Sequence, residues 1–405
     1  NYSISSCSGQ VRVEFLIPNT NTNPSGPLSS IDFSTSSGNV YGTSVQFINA
    51  PNSNINFGIC SSYNYSNNNN PQLFIPTYYN GDPLAGGNSG TVSGLLGFPY
   101  KSSGTPTNQG GSETNPIIIA TTSQVGATFG TAYSKYAKKM FASAFIKRHV
   151  GLGPLGGGGI YIADPNVANS ASTFLDLDAL GIATSDESSS YNPTYGLNLI
   201  SNVIGSNSDR GLGSNVNDPN LDQSAFNQVG RLSLGGLDIS EDGQFLFVMN
   251  LYDRKLYKIN LSNPVNPIAP TLANSNSLIT SFAVPNPSCV GGDSYRPFAV
   301  RFYRGNIYVG IVCDGSTSSA MTEEEKLLDM NAFVYKLDLS SSTWSKVIDF
   351  SLNYPHGSDF ANCGYWRPWH TVIPTTFCGT SPTPILSDIE FDVDGSMILA
   401  IMDRT

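Results

Sequence analysis

The chain has 405 residues, 39% of them hydrophobic and 12% charged, with a formal net charge of −10 from 20 Lys and Arg against 30 Asp and Glu. That apolar share fills a sizeable core and excludes wholesale disorder. The few cations are scattered through an acidic chain, which excludes a nucleic-acid partner needing a basic face.

Length alone suggests two or three domains. No run nears the roughly 18 apolar residues of a membrane helix, so no membrane span is expected in this chain. It opens at Asn1 without a Met or an apolar leader, which points either to a removed signal peptide or to a piece of something longer. Six cysteines (Cys7, Cys60, Cys289, Cys313, Cys363 and Cys378) are an even set without CxxC spacing. Pairing between neighbours is the simplest arrangement: Cys7 with Cys60, Cys289 with Cys313, Cys363 with Cys378. An oxidising, extracellular compartment fits such a set best.

Taken in order, residues 1–60 carry short strands at 10–16, 31–33, 44–47 and 55–57. Val11, Val13 and Phe15 alternate with polar residues, as on an antiparallel sheet that covers a core. This stretch predicts a partial immunoglobulin-like β-sandwich. Residues 61–120 begin with an asparagine run, Asn67 to Asn70, followed by Pro71, Gly81, Gly86, Gly87 and a Ser/Gly/Thr-rich segment. They read as an irregular linker with one strand near 95–98.

From residue 121 a coarse repeat of strand, tight turn, strand, variable loop and strand recurs. Asp242-Gly243 and Asp394-Gly395 stand where the first hairpins turn, Gly supplying the positive φ. This order is that of a β-propeller blade. The final unit reaches Thr405 two strands in, so the propeller reads as incomplete or strand-exchanged. The expected class is therefore all-β, with a short helix near 321–330 where Thr322 and Glu325 have capping-box spacing.

Several stretches carry a resemblance. They include Gly42 to Pro51, Tyr79-Asn80-Gly81-Asp82-Pro83-Leu84, Ala144 to Pro154, Leu251 to Tyr257 and Ile385 to Met397. Together these resemble secreted bacterial surface proteins with SdrD B-like (Cna-B type) modules and a propeller-like region. The resemblance implies an extracellular structural or adhesive role and no enzymatic activity.

Candidate chemistry is sparse. Gly151-Leu152-Gly153-Pro154-Leu155-Gly156 matches a dinucleotide motif, but Gly157, Gly158 and Gly159 run on into a strand where that motif needs a helix. An interblade loop is the better reading, and no cofactor is expected. Lys147-Arg148-His149 is the densest basic cluster; it could hold a carboxylate or acidic sugar, or its cations could pair with nearby Asp. His356, Cys363, His370 and Cys378 lack the close ligand spacing of structural zinc. Tyr365, Trp366 and Trp369 in the same loop make either a sugar-stacking platform or loop packing. Asp388, Glu390, Asp392 and Asp394 alternate along one strand and could bind calcium or act on glycans, though a solvated hairpin accounts for them better.

Asn1, Asn64 and Asn260 open acceptor sequons for N-glycosylation. The expected function is a non-catalytic, glycosylated surface protein or filament subunit, secreted to the cell surface. Both ends present strand edges, so self-association by β-strand addition is the expected partnership. The alternative is a secreted carbohydrate-binding or carbohydrate-active propeller.

Overall fold

The computed structural model describes residues 4, 7–16, 31–34, 45–53, 55–56, 58–61, 70–186, 188, 202–290, 292, 294–319, 323–355, 364–370, 373, 382–392 and 395–404, leaving aside the side chains at 31–34, 58–61 and 323–324. The chain divides into two compact units. One comprises 1–71 with 303–305 and 390–398; the other holds 72–302, 306–389 and 399–405.

In the first unit, β1 (Gly9–Glu14), β2 (Ile31–Ser34), β3 (Val45–Ala50) and β4 (Gly58–Ser61) form two antiparallel pairs, β1 with β3 and β2 with β4. The face-to-face packing of two sheets that an immunoglobulin-like sandwich needs is not found among the described residues. Phe47 on β3 pairs with Arg12 and is 69% exposed, on the face opposite Val11, Val13 and Ile48. Also in this unit, the Tyr303 and Phe391 rings stack with centroids 4.0 Å apart.

The second unit is a succession of antiparallel meanders. β5 (Gln72–Pro76), β6 (Ser93–Pro99) and β7 (Ile117–Thr121) form a three-stranded sheet. Residues 61–120, expected as linker, thus contribute a three-stranded sheet from Gln72 onward. The strand expected near 95–98 is β6, whereas β5 escapes a sequence reading because Leu73 and Ile75 face outward.

Three four-stranded sheets follow: β8 (Thr128–Ser134) to β11 (Ser172–Asp176) through β9 (Lys139–Ala144) and β10 (Gly159–Ala163); β12 (Leu234–Ile239) to β15 (Ile279–Ala283) through β13 (Phe245–Asn250) and β14 (Lys255–Asn260); and β16 (Tyr295–Tyr303) to β19 (Thr343–Ser351) through β17 (Asn306–Cys313) and β18 (Asn331–Asp338). A hairpin of β20 (Pro384–Phe391) and β21 (Met397–Asp403) ends the series. The sequence repeat had three strands per unit. The fourth strands, β11, β15 and β19, add an outer edge whose residues are largely exposed or half-buried.

Alternation within the middle strands explains why these sheets stack. On β13, Phe247 and Met249 enter one apolar cluster with Phe298 and Ile307 of the next sheet. Leu246 and Val248, pointing the other way, enter a second cluster with Phe141 and Ile160 of the preceding sheet. Likewise Met140 and Ala142 of β9 meet Leu95 and Ile119 of the three-stranded sheet. A strand with both faces buried must be apolar at nearly every position. Burying a side chain of this size contributes roughly 1.5–3 kcal/mol. The expected turn at Asp242-Gly243 is present: Gly243 has φ of 70°, and its N–H donates to the Ser240 carbonyl at 2.8 Å. The helix expected near 321–330 spans Glu323–Leu327; Thr322 lies outside the described residues.

Candidate functional site

The first strands of successive sheets surround a cavity of about 460 Å³. Its wall takes Ile75 from β5, Gly130 from β8, Gly236 from β12, Val300 from β16 and Asp388 from β20, with Tyr78 closing one side. Gly236 sets the wall's closeness, since a Cβ there would stand 2.7 Å from both the Phe298 carbonyl oxygen and the Val300 nitrogen. The Tyr78 hydroxyl donates to the Thr128 carbonyl at 2.8 Å, and burial pushes its pKa well above the ordinary phenol value.

The acidic residues of the first strands have structural work. Asp238 receives the Ile239 N–H at 2.8 Å on one oxygen and, on the other, the Phe302 N–H of the neighbouring sheet at 2.7 Å. The Arg301 guanidinium lies 3.7 Å away. Asp238 therefore stitches β12 to β16. Asp388 holds the corresponding place in the last hairpin, receiving the Ile389 N–H at 2.8 Å. Asp388, Glu390 and Asp392 are exposed, as their alternation predicts; Asp394 lies outside the described residues. Among the described residues no group of three or more His, Cys, Asp or Glu is placed to hold a metal ion.

Lys147-Arg148-His149 follows β9 and is held by the loop around 204–222. Arg148 donates twice to the Leu221 carbonyl, at 3.2 and 3.1 Å. His149 takes φ of 71°, donates its backbone N–H to Asp222 at 2.7 Å, and sets Nδ1 2.7 Å from the Asn220 side-chain oxygen. Lys147 stands 6.0 Å over the Tyr78 ring; burial, its largest influence, pushes its pKa down despite nearby Asp403. In the glycine-rich segment, Gly156–Gly158 make one 3-10 turn that feeds directly into β10, as expected of a loop.

The aromatic loop resolves toward packing. Trp366 and Trp369 are 6% and 2% exposed, and the Trp369 indole N–H donates to the Pro384 carbonyl at 3.0 Å. Tyr365 alone of the three is exposed, so a three-ring sugar platform is absent. His356, Cys363 and Cys378 lie outside the described residues; the His370 carbonyl accepts a bond from Arg404.

Cys289 and Cys313 form a disulfide that joins the segment after β15 to the end of β17, 24 residues apart in sequence. Both are buried. Cys7 is an exposed free thiol in place of the expected bridge to Cys60. The side chain of Cys60, its expected partner on β4, lies outside the described residues. Of the sequons, Asn1 and Asn64 lie outside the described residues. Asn260 is half-buried at the end of β14, its side-chain oxygen accepting bonds from Gln244 and from the Ser262 N–H. The residues missed by sequence reasoning are Arg231, Arg296, Arg404 and Asp314, single charges far apart in the chain that the fold gathers around Trp369.

No family model matches the chain. It is 26% identical to Colossin-A of Dictyostelium discoideum over 347 residues, which are 83% of this chain and 3% of that protein. Identity is 29% to Colossin-C, over 39% of this chain and 15% of that protein. For Colossin-D it is 22%, over 71% and 26%. The chain thus spans only a small part of the length of these relatives. Among solved structures, it aligns with a chain of the Nidogen/Laminin complex at TM-score 0.31 and 10% identity, covering 71% of this chain and 64% of that one. The periplasmic gluconolactonase PpgL of Pseudomonas aeruginosa aligns at TM-score 0.29 and 10% identity, over 77% and 67%.

Proposed function

We propose that this chain is an extracellular structural or adhesive module without catalytic activity, built on a β-propeller-like series of antiparallel meanders. The observation that carries the reading is the buried Cys289–Cys313 disulfide. Such a bond persists in oxidising compartments and is rare where thiols are kept reduced. The propeller reading is supported by three four-stranded meanders with both faces buried and by a cavity among their first strands. Asp238 supports a structural use of the strand acids, because both its oxygens are engaged by backbone N–H groups. Similarity over 83% of this chain to a relative of which it covers 3% fits a segment type used within very long proteins.

Self-association is the partnership proposed. The outer edge strand β19 is largely exposed, and a strand added by a neighbouring copy would pair along such an edge. Glycan at Asn260 would keep so weakly charged a surface soluble.

A second reading, a secreted carbohydrate-binding or carbohydrate-active propeller, draws on the cavity with Asp388 on its wall. A hydrolase panel with a glycan array separates the two. The structural reading expects no turnover above buffer. Turnover by the native chain that is lost in Asp388→Asn or Glu390→Gln overturns it.

A further inference from the structure

The second unit gathers an excess of positive charge around one buried indole. Arg231, Arg296 and Arg404 place their guanidinium carbons 5.4, 5.9 and 4.7 Å from the Trp369 ring centroid. Arg254, over the Tyr295 ring at 4.7 Å, is close enough to act on the charge of Arg231. Lys147 stands in the field of Arg404 and Asp403. Five cations thus share a neighbourhood with two carboxylates, Asp314 and Asp403.

The carboxylates are already committed. One Asp314 oxygen receives Ser316 through its N–H at 2.9 Å and its hydroxyl at 2.6 Å. The other receives Arg296 Nε at 2.6 Å. Asp403 receives the Thr383 N–H at 3.0 Å. Arg404 is committed as well, spending its donors on the Phe226 and His370 carbonyls and the Thr383 hydroxyl.

Arg231 is the exception. Its side chain is only 10% exposed, and Nη2 lies 3.4 Å from Asp314. Yet its buried Nε and Nη2 make no hydrogen bond. A buried donor left without an acceptor is destabilising, the more so when it is charged. Burial first, and then the neighbouring Arg296, push its pKa down to about 10, against the pull of Asp314. A guanidinium in this state is completed by a planar or tetrahedral oxyanion, which accepts two of its N–H groups at once and offsets the local excess of charge.

From the Arg231 N–H groups that lack a hydrogen-bond acceptor and the surplus of arginines around Trp369, we infer that this cluster is a binding site for a small oxyanion, a carboxylate or a sulfate. The group can arrive as a free ion or as the acidic group of a sugar. Arg231 is the residue that receives it and Arg254 adds positive charge beside it, while Arg296 and Arg404 hold the frame through Asp314, Thr383 and the backbone. The inference is independent of whether the module is structural or catalytic.

Titration calorimetry on the full chain tests it, with sodium sulfate, sodium galacturonate and, at matched ionic strength, sodium chloride. Saturable binding of sulfate or galacturonate over chloride is expected, weakened at least about tenfold by Arg231→Gln. Should that variant fail to fold, Arg254→Gln on a half-buried side chain is expected to weaken binding at least about threefold. Lys346→Gln, on an exposed lysine paired with Asp349, is expected to change nothing. Equal binding of both anions assigns the free ion, and tighter binding of galacturonate assigns the acidic sugar. Absence of saturable binding by both anions, or binding unchanged in the arginine variants, overturns the inference.

Discussion

Arg210 grips Asp222 with two prongs, Nη2 at 2.6 Å and Nε at 3.1 Å, and both side chains are fully buried. The same guanidinium donates to the Lys147 and Val150 carbonyls at 3.0 Å, and Asp222 receives the His149 N–H. One ion pair therefore fastens the basic segment after β9 to the loop around 204–222. Removing one partner of a buried pair leaves the other charged and alone, at a cost of about 3–5 kcal/mol. Arg210→Met is expected to lose that much by denaturant unfolding. The double variant with Asp222→Asn is expected to lose clearly less than the sum of the two single variants. Additive losses would show that the two side chains do not act as a unit.

The Cys289–Cys313 bond closes a loop of 24 residues in sequence. Restricting the unfolded chain over a loop of that size stabilises by about 3 kcal/mol. Cys289→Ser with Cys313→Ser is expected to lower Tm measurably, and the native chain in reductant is expected to match it. An unchanged Tm in both would mean that the bond adds no stability.

Gly236 keeps β12 against β16, where a Cβ would sit 2.7 Å from two backbone atoms of the facing strand. Backbone cannot swing aside as a flexible side chain does, so Gly236→Ala is expected to cost about 1–3 kcal/mol. Gly364→Ala, with nothing within 4 Å of the added Cβ, is expected to stay within about 0.5 kcal/mol of the native chain. Parallel thermal melts would compare them, and equal losses would contradict the close-approach account.

Asp314 is almost wholly buried, and burial alone would raise its pKa; Arg296 and Arg231 outweigh that and hold it below the ordinary carboxylate range. A depressed folded-state pKa stabilises above the unfolded value of about 3.9 and ceases to do so as pH falls through the folded value. Asp314→Asn is thus expected to be less stable than the native chain at neutral pH, with the gap narrowing below about pH 4. A gap of constant size from pH 7 to pH 2.5 would contradict this.

The all-β class and the first three strands of each full meander were legible because strands such as Phe245–Asn250 bury both faces and read as apolar runs. The outer strands were not: Thr343–Ser351 offers Lys346, Val347, Ile348 and Asp349 to solvent with no alternation to detect. Of the sheet at 72–121 only the strand near 95–98 was legible; in Gln72–Pro76 the apolar Leu73 and Ile75 face outward. The Cys289–Cys313 pair was legible from proximity in sequence, whereas Cys7 is a free, exposed thiol. The arginine cluster left no local signal, since Arg231, Arg254, Arg296 and Arg404 are isolated in the sequence and only the stacking of sheets unites them.

The central claim is an extracellular structural module. The most direct test is immuno-electron microscopy of intact, unpermeabilised cells of the native source, using antibody raised against the purified chain. The account predicts label on the outer surface, ordered along filaments or arrays. Label confined to the cell interior, appearing only after permeabilisation, would contradict it.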